Sequence, residues 1–205
     1  MSQPGGEWNL RPELVPARDE MSKILDLIKG EDEKYYVLFA TLANTGLRVS
    51  EGMHLRASDL VNGRIRVTRR KKRRLAPSTV EVSDAVWTLL SKWAEGKKGY
   101  LWPGGSGPCI LARTNGKVEQ LCKGGHLHIR TVQTRWRFTI AKLGLYIKGR
   151  GIHQTRHYFG TEMYAETLDL RATQKALDHS LSTMTEKYAH VVDLKKKVNQ
   201  IKPSL

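Results

Sequence analysis

Apolar and polar residues recur with helical spacing along much of the 205-residue chain. The first stripe has apolar residues at i, i+3, i+4 and i+7, which predicts an amphipathic helix from Asp19 to a stop at Gly30. Its members are Met21, Ile24, Leu25 and Ile28. The next segment, KYYVLFATLANTG, is apolar on nearly every face and predicts a buried helix that ends at Gly46. A second stripe predicts a helix with Ser83 as its N-cap. It contains Val86, Leu89, Leu90 and Trp93.

Two segments show the alternation that is typical of strands. GRIRVTR and STVEVS predict two half-buried strands, and the cationic RKKRRLAPS between them predicts the hairpin connection. The segment from Glu95 to Gly125 carries eight glycines and two prolines, which predicts loops. TVQTRWRFTIAKLG predicts a basic helix, and three short helical segments follow the KGRG turn. The expected fold class is α+β, mainly α, with a small antiparallel β-sheet.

The net positive charge of the chain favours negatively charged binding partners. Lysine and arginine number 35 against 20 aspartates and glutamates, which gives a formal net charge of +15. Such a chain attracts polyanions, so nucleic acid is the first expected partner and an acidic membrane surface the second. No apolar run approaches the roughly 18 residues of a membrane span, and the N-terminus lacks the features of a signal peptide. We therefore expect a cytoplasmic protein with no membrane-spanning segment.

Only two cysteines, Cys109 and Cys122, are present, so a disulfide framework is not what holds the fold together. With His126 and His128 they form a set of four possible zinc ligands, but the spacing matches no zinc pattern. Two ordinary thiols in a reducing compartment are the better interpretation. We expect neither a metal nor another cofactor.

A set of ionisable residues at the ends of predicted elements suits phosphoryl transfer. Guanidinium groups neutralise the negative charge that grows on a phosphodiester in its transition state. A tyrosine hydroxyl is a nucleophile once a base removes its proton, since an ordinary pKa of about 10 leaves little phenolate at neutral pH. A histidine can take that proton, and a lysine or histidine can give one to the leaving oxygen. The set is Arg48, a lysine of the hairpin, His153, Arg156, His179 and Tyr188.

The order and spacing of this set resemble those of the tyrosine recombinase family, which includes phage-type integrases and Xer-type resolvases. The matching features are TGLRVSE around Arg48, the lysine-bearing strand pair, HQTRH, a histidine 23 residues after Arg156, and a tyrosine nine residues beyond it. The resemblance covers residues 19 to 195. It implies a catalytic domain at 19–205, preceded by an N-terminal arm or linker at 1–18 instead of the usual core-binding domain. An excised domain and a minimal enzyme both fit that organisation.

The resemblance implies a site-specific DNA recombinase or integrase, of the kind found in mobile genetic elements, that acts as a tetramer on double-stranded DNA with a specific recombination site. Arg48 and Arg156 would clamp the scissile phosphate, and His179 would donate a further hydrogen bond to it. His153 would act as base toward Tyr188, whose oxygen would form a 3′-phosphotyrosine while a DNA 5′-hydroxyl leaves, without metal or ATP. Two alternatives stay open, a type IB topoisomerase-like enzyme and a non-catalytic DNA-binding protein.

Two positions depart from the family pattern. Asp178 stands where a glycine usually precedes the second active-site histidine, and it would either tune His179 or cap a helix turn. The hairpin is longer than usual, so the catalytic lysine is Lys71 or Lys72. We choose Lys71, because the lysine of the family usually sits where the first strand ends.

Neighbouring residues receive supporting roles. We expect Glu51 to orient Arg48 through an ion pair, and His157 to be a supporting or core histidine. The other basic residues of the hairpin, with one from the basic helix, are expected to contact DNA phosphates. These are Arg69, Arg70, Lys72, Arg73, Arg74 and Arg135.

Overall fold

The structure is a computed structural model that describes residues 11–71, 74–104, 110–114, 117–121, 125–178, 185–189 and 191–193. Side chains are described for all of these except residues 69–71, 74–75, 110–114 and 117–121. The helices in these ranges are α1 (Arg18–Glu31), α2 (Glu33–Thr45), α3 (Val49–Met53), α4 (Asp84–Ala94), α5 (Ile129–Lys142), α6 (Gln154–Thr167) and α7 (Leu170–Leu177). Residues 185–189 and 191–193 are also helical.

The helices follow the predicted stripes. Helix α1 continues one residue past Gly30, and α2 begins where the Asp32 side chain accepts a hydrogen bond from the Tyr35 N–H at 3.3 Å. Helix α4 begins directly after Ser83. Ser83 stands at the predicted N-cap position, but its side chain makes no capping hydrogen bond, and among α1, α2 and α4 only the N-cap side chain of α2 makes one. The positions of these helices follow their apolar faces.

The first sheet is antiparallel and has the order β1-β2-β3, with β1 (Leu60–Val61), β2 (Arg64–Lys71) and β3 (Arg74–Glu81). The predicted strand pair is confirmed, but the strands extend further than expected. Lys71 pairs with Arg74, so most of the predicted connection RKKRRLAPS is itself strand.

A second antiparallel pair, β4 (Ile110–Thr114) and β5 (Lys117–Leu121), lies where loops were predicted. The prediction of loops for the whole of Glu95–Gly125 is therefore wrong. The high glycine content hid the signal, since the Asn115-Gly116 dipeptide between two five-residue segments is typical of a hairpin.

The core is built around α2, which packs against α1, α4 and α6. Leu38, Phe39 and Leu42 of this helix are fully buried. Phe39 meets Trp136 of α5 edge to face, with ring centroids 5.4 Å apart. This packing places the C-terminal end of α2 against the helices that follow β5 in the sequence.

Gly46 ends α2 in the left-handed conformation, with φ of +63°. A side chain there would collide with the Phe159 ring and lie 2.9 Å from Leu177 Cδ2. Glycine therefore lets α6 and α7 approach the end of α2 closely. Arg48 follows two residues later, so this junction determines where its side chain stands.

The described end of the expected N-terminal arm packs on the domain. Pro12–Leu14 form a 3-10 turn, and Leu14 and Val15 are 7% and 3% exposed. Among the residues described above, no helix combines the length and the apolar character needed to cross a bilayer.

Candidate active site

Arg48 lies at the N-cap position of α3 and is fixed by Glu51. Its backbone N–H donates to Glu51 Oε2 at 2.9 Å, and its Nη1 donates to Glu51 Oε1 at 2.8 Å. The carboxylate is 7% exposed and the arginine side chain 38% exposed. The predicted ion pair is thus present, and it holds a guanidinium that still reaches solvent.

Arg156 of α6 is 2% exposed. Its Nη1 donates to the carbonyl oxygen of Gly46 at 2.6 Å, and its Nη2 donates to the carbonyl oxygen of Leu177. Both acceptors lie at the C-terminal ends of helices, where carbonyl groups carry partial negative charge. These bonds tie α6 to α2 and α7 and bring Arg156 beside the segment that carries Arg48.

Tyr188 is fully buried against α6. A Cβ at Gly160 would lie 2.6 Å from Tyr188 Cζ, which means that the ring rests directly on the glycine backbone. The Tyr188 hydroxyl lies 3.1 Å from His157 Nδ1. The position of Tyr188 is therefore set by the backbone of α6 at Gly160 and by the imidazole of His157, which lies one helical turn before Gly160.

His153 precedes the first turn of α6, and its ring centroid lies 5.0 Å from that of His157, at a right angle. Although His153 still reaches solvent, the protein atoms crowded around it lower its pKa, and the charges of Arg156, Arg48 and Lys187 act in the same direction. Glu51 opposes them weakly. A lowered pKa keeps this imidazole neutral, which is the form that accepts a proton.

Burial raises the pKa of Tyr188 to about 12, although the nearby positive charges of Arg156 and Arg48 oppose the rise. Burial also lowers the pKa of Lys187, and Arg156 adds to that effect. The phenol is therefore protonated at neutral pH, and a neighbouring base is needed before its oxygen can attack.

The two histidines of the HQTRH motif lie together at the start of α6. His157, expected to be a supporting or core residue, is the described hydrogen-bond partner of the Tyr188 hydroxyl. His153 lies next to His157. The signal for this arrangement was the i, i+4 spacing of the two histidines, which puts them on the same face of a helix. The role of Gly160 had no signal in the sequence, because it depends on a ring 28 positions later.

Asp178 ends α7 in the left-handed conformation, with φ of 52° and ψ of 46°. Its backbone N–H bonds to the carbonyl oxygens of Gln174 and Lys175. The position therefore needs the conformation that glycine adopts most easily and that aspartate tolerates better than most residues. Of the two roles considered for Asp178, the helix cap is present. His179 lies outside the described residues.

The hairpin residues are located only in part. Lys71 is the last residue of β2, as expected for the catalytic lysine, and Arg69, Arg70 and Arg74 lie in the paired strands. Lys72 and Arg73 fall outside the described residues.

Arg135 has an intramolecular role that was not predicted. Its Nη2 lies 2.9 Å from Glu31 Oε2, and its guanidinium lies over the Tyr35 ring at 5.7 Å. Two other arginines of α5, Arg130 and Arg137, are exposed and line a cavity of about 500 Å³. The DNA contact expected of Arg135 stays a prediction, and within the fold its charge is paired with that of Glu31.

Within the described ranges, no cluster of three or more histidine, cysteine, aspartate or glutamate side chains is arranged to hold a metal ion. Cys109 and Cys122 lie outside those ranges. His128 is the N-cap of α5, where its Nδ1 accepts the Arg130 N–H at 3.2 Å.

A mainly helical domain that gathers two arginines and two histidines around a buried tyrosine defines a catalytic domain of the tyrosine recombinase type. The chain belongs to the phage integrase family, whose model matches residues 17–195. The resemblance drawn from the motifs is thereby confirmed.

Individual relatives agree with this assignment. The tyrosine recombinase XerD of Rhizobium meliloti (strain 1021) is 31% identical over 163 residues, which cover 78% of this chain and 48% of that protein. The chain thus spans about half the length of that relative. The crystal structure of XerA recombinase is similar with a TM-score of 0.70 at 21% identity, covering 100% of this chain and 68% of the other. The crystal structure of XerH bound to its difH substrate in a pre-cleavage complex is similar with a TM-score of 0.63 at 22% identity. That match covers 86% of this chain and 50% of the other. These two structures share the fold.

Proposed function

We propose that this chain is the catalytic part of a site-specific DNA recombinase that cleaves and rejoins DNA through a 3′-phosphotyrosine. The observation that carries the proposal is the convergence on Tyr188 of Arg48, Arg156 and the adjacent histidines His157 and His153. Both arginines are close enough to affect the pKa values of His153 and Tyr188. A non-catalytic DNA-binding protein has no need to surround one buried phenol with these groups.

Cleavage begins with the phosphate held by the guanidinium groups. Arg48, anchored through Glu51 and partly exposed, neutralises the non-bridging oxygens as their charge grows. Arg156, bonded to two helix ends, supplies a second positive charge behind it. His179 donates a further hydrogen bond. Since these charges are fixed before the substrate arrives, little reorganisation is needed in the transition state.

Proton transfer follows from the same geometry. The Tyr188 hydroxyl gives its proton to His157 Nδ1, and the other nitrogen of that ring passes a proton on to the neutral His153, which holds it as the general base. The phenolate oxygen attacks phosphorus, a bond to tyrosine forms, and the bond to the DNA 5′-oxygen breaks. Lys71 protonates that leaving oxygen. A 5′-hydroxyl from a second duplex then reverses the chemistry and restores the phenol.

The DNA surface is proposed to include the β2–β3 hairpin and the exposed face of α5. Phosphate contacts come from the hairpin residues Arg69, Arg70, Lys72, Arg73 and Arg74, and on α5 from Arg135 together with the exposed Arg130 and Arg137. A net charge of +15 supports this footprint. We further propose that four copies assemble on a specific double-stranded recombination site, and that the protein acts in the cytoplasm.

A nicked suicide DNA substrate tests the proposal. The wild-type chain is expected to form a covalent protein–DNA adduct, and Tyr188→Phe to form none while binding DNA equally well, because it loses one hydroxyl and no charge. An adduct with the variant would refute the assignment of the nucleophile. Relaxation of supercoiled plasmid that lacks any recombination site would favour the topoisomerase alternative instead.

The two histidines are separated by the same assay. His157→Gln should slow adduct formation because it removes the imidazole that lies 3.1 Å from the Tyr188 hydroxyl and is proposed to accept its proton. If His153→Gln abolishes cleavage and His157→Gln leaves it unchanged, the proton does not pass through His157.

A further inference from the structure

Arg150 is a buried arginine just ahead of the His153–Arg156 segment, and its side chain is only 5% exposed. Its Nη2 donates to the carbonyl oxygen of Glu13 at 2.7 Å, and its Nη1 donates to Glu20 Oε1 at 3.2 Å. Residues 13 and 150 are 137 positions apart in the sequence. One guanidinium therefore fastens the loop before α6 to the first described residues of the chain.

Those first residues, 11–20, are named here the N-terminal clasp, because they contact the same loop at further points. Arg11 Nη2 donates to the carbonyl oxygen of Lys148 at 3.4 Å. Leu14 packs against Gly149, where an added Cβ would lie 3.2 Å from Leu14 Cδ1. The contact between clasp and loop thus combines apolar packing with hydrogen bonds.

The clasp also reaches the body of α6. Arg18 Nε donates to Glu162 Oε2 at 2.7 Å, and Arg18 Nη2 lies 2.8 Å from Glu166 Oε1. These ion pairs are exposed and individually weak. They matter because of where they lie. The clasp contacts the loop just before α6, and through Arg18 it also contacts the second half of this helix, which carries Arg156.

The loop between Arg150 and His153 has little freedom to absorb a displacement. The Arg150 N–H donates to the carbonyl oxygen of Ile147 at 2.9 Å, and the Gln154 N–H donates to that of Gly151 at 3.0 Å. The two turns follow each other directly, so only Gly151 and Ile152 separate Arg150 from His153. We therefore expect a shift of Arg150 to reach His153.

Burial makes the position of Arg150 depend on the clasp. A buried guanidinium is tolerated only where acceptors compensate for lost hydration. Of its three described acceptors, two belong to the clasp, and the third is the carbonyl oxygen of Leu145. Its Nε is buried with no acceptor among the described residues, so no spare contact compensates if the clasp acceptors are removed.

We propose that Arg150 is a positioning residue through which the N-terminal clasp sets the places of His153 and Arg156. It touches neither DNA nor the reacting atoms. The clasp couples residues 11–20 to the cleavage chemistry, so a change in these residues alters the rate of cleavage without altering the catalytic side chains. This inference rests on the proposed recombinase function.

Glu20→Gln and Glu31→Gln form a matched pair for the test. Both carboxylates lie on α1 and pair with a distant arginine, Glu20 with Arg150 and Glu31 with Arg135. Only the first contacts the clasped loop. Single-turnover cleavage of a nicked suicide substrate is measured at saturating protein, together with the DNA dissociation constant and the melting temperature.

We expect Glu20→Gln to slow cleavage by about 10-fold or more, as for a displacement approaching 1 Å, with DNA affinity within about twofold of wild type. Glu31→Gln should cleave at the wild-type rate even if its melting temperature falls as much as that of Glu20→Gln. Arg150→Met should behave like Glu20→Gln, and Arg150→Lys should recover part of the rate. Equal cleavage by the two glutamine variants would overturn the proposal, and this comparison decides it even if Arg150→Met fails to fold.

A second measurement is independent of activity. In histidine NMR spectra of the free protein, Glu20→Gln should shift the ring signals of His153. The signals of His54, the C-cap residue of α3, should stay unchanged. An unmoved His153 signal contradicts the clasp. If the wild-type chain forms no adduct while His153 still shifts, the recombinase function fails and the clasp stands.

Discussion

A methyl group at position 160 tests whether Tyr188 occupies the place that the structure gives it. A Cβ at Gly160 would lie 2.6 Å from Tyr188 Cζ and 2.9 Å from both Cε atoms. Carbon atoms in contact are about 3.5–4.0 Å apart, so in Gly160→Ala the ring must retreat from α6 by about 1 Å. The retreat lengthens the 3.1 Å contact between the Tyr188 hydroxyl and His157 Nδ1 and opens the ring to solvent.

The magnitude follows from two opposing effects on stability and one on rate. Alanine in place of glycine inside a helix stabilises by about 1 kcal/mol, and overpacking costs about 1–3 kcal/mol. The net loss is therefore about 0–2 kcal/mol, which leaves the protein folded. For the reaction, a misplacement of about 1 Å costs about 100-fold. We expect adduct formation by Gly160→Ala to fall by that order.

The assay combines adduct formation with chemical access to the phenol. Burial is the largest cause of the raised pKa of Tyr188, so exposure should lower that pKa and speed nitration of this tyrosine, measured by peptide mass spectrometry. Gly30→Ala is the control, because Gly30 lies inside α1 with nothing within 4 Å of an added Cβ. Gly30→Ala should gain helix stability, while its rate of adduct formation and the nitration rate of Tyr188 should match those of the wild type.

The refuting result is equally specific. If Gly160→Ala gains as much stability as Gly30→Ala and Tyr188 nitrates at the wild-type rate, the ring does not rest on position 160. If the Tyr188 ring is displaced and the cleavage rate is unchanged, the packing of this ring on Gly160 does not contribute to the reaction.

Four further outcomes are expected. Arg48→Ala and Arg156→Ala should each slow cleavage by orders of magnitude. Arg156→Ala should also lose about 2 kcal/mol or more of stability, because it removes the described donor to two buried carbonyl groups, and equal melting temperatures of the two variants would contradict this structural role. Burial and neighbouring positive charge lower the pKa of His153, so the cleavage rate should rise with pH and reach half its maximum below about pH 6.5. A midpoint above that pH, or the same rise in His153→Gln, would show that His153 is not the base. Lys71→Ala should be impaired on ordinary DNA and rescued by a 5′-bridging phosphorothiolate, whose thiolate leaves without a proton; rescue of Lys72→Ala instead moves the assignment by one residue. The logarithm of the DNA binding constant should fall steeply with the logarithm of salt concentration, and a flat response would show that the basic surface is not the DNA footprint.

Prediction from the sequence succeeded where a local pattern reports a local structure. The i, i+3, i+4 stripes located α1 and α4, and the apolar KYYVLFATLANTG located α2, because a helix needs one continuous apolar face and its period is visible over a few turns. The β4–β5 pair was missed, since five-residue strands are too short for alternation to stand out among glycines.

The order of motifs in this chain determined its family, its mainly helical fold and the residue types that the chemistry needs. Tertiary structure decided which groups meet. His157 reaches Tyr188 across 31 positions, and Arg156 reaches the Gly46 carbonyl across 110. These contacts depend on how α2, α6 and α7 pack. No periodicity records such packing, because a side-chain pattern specifies the face that an element buries but not the partner it is buried against.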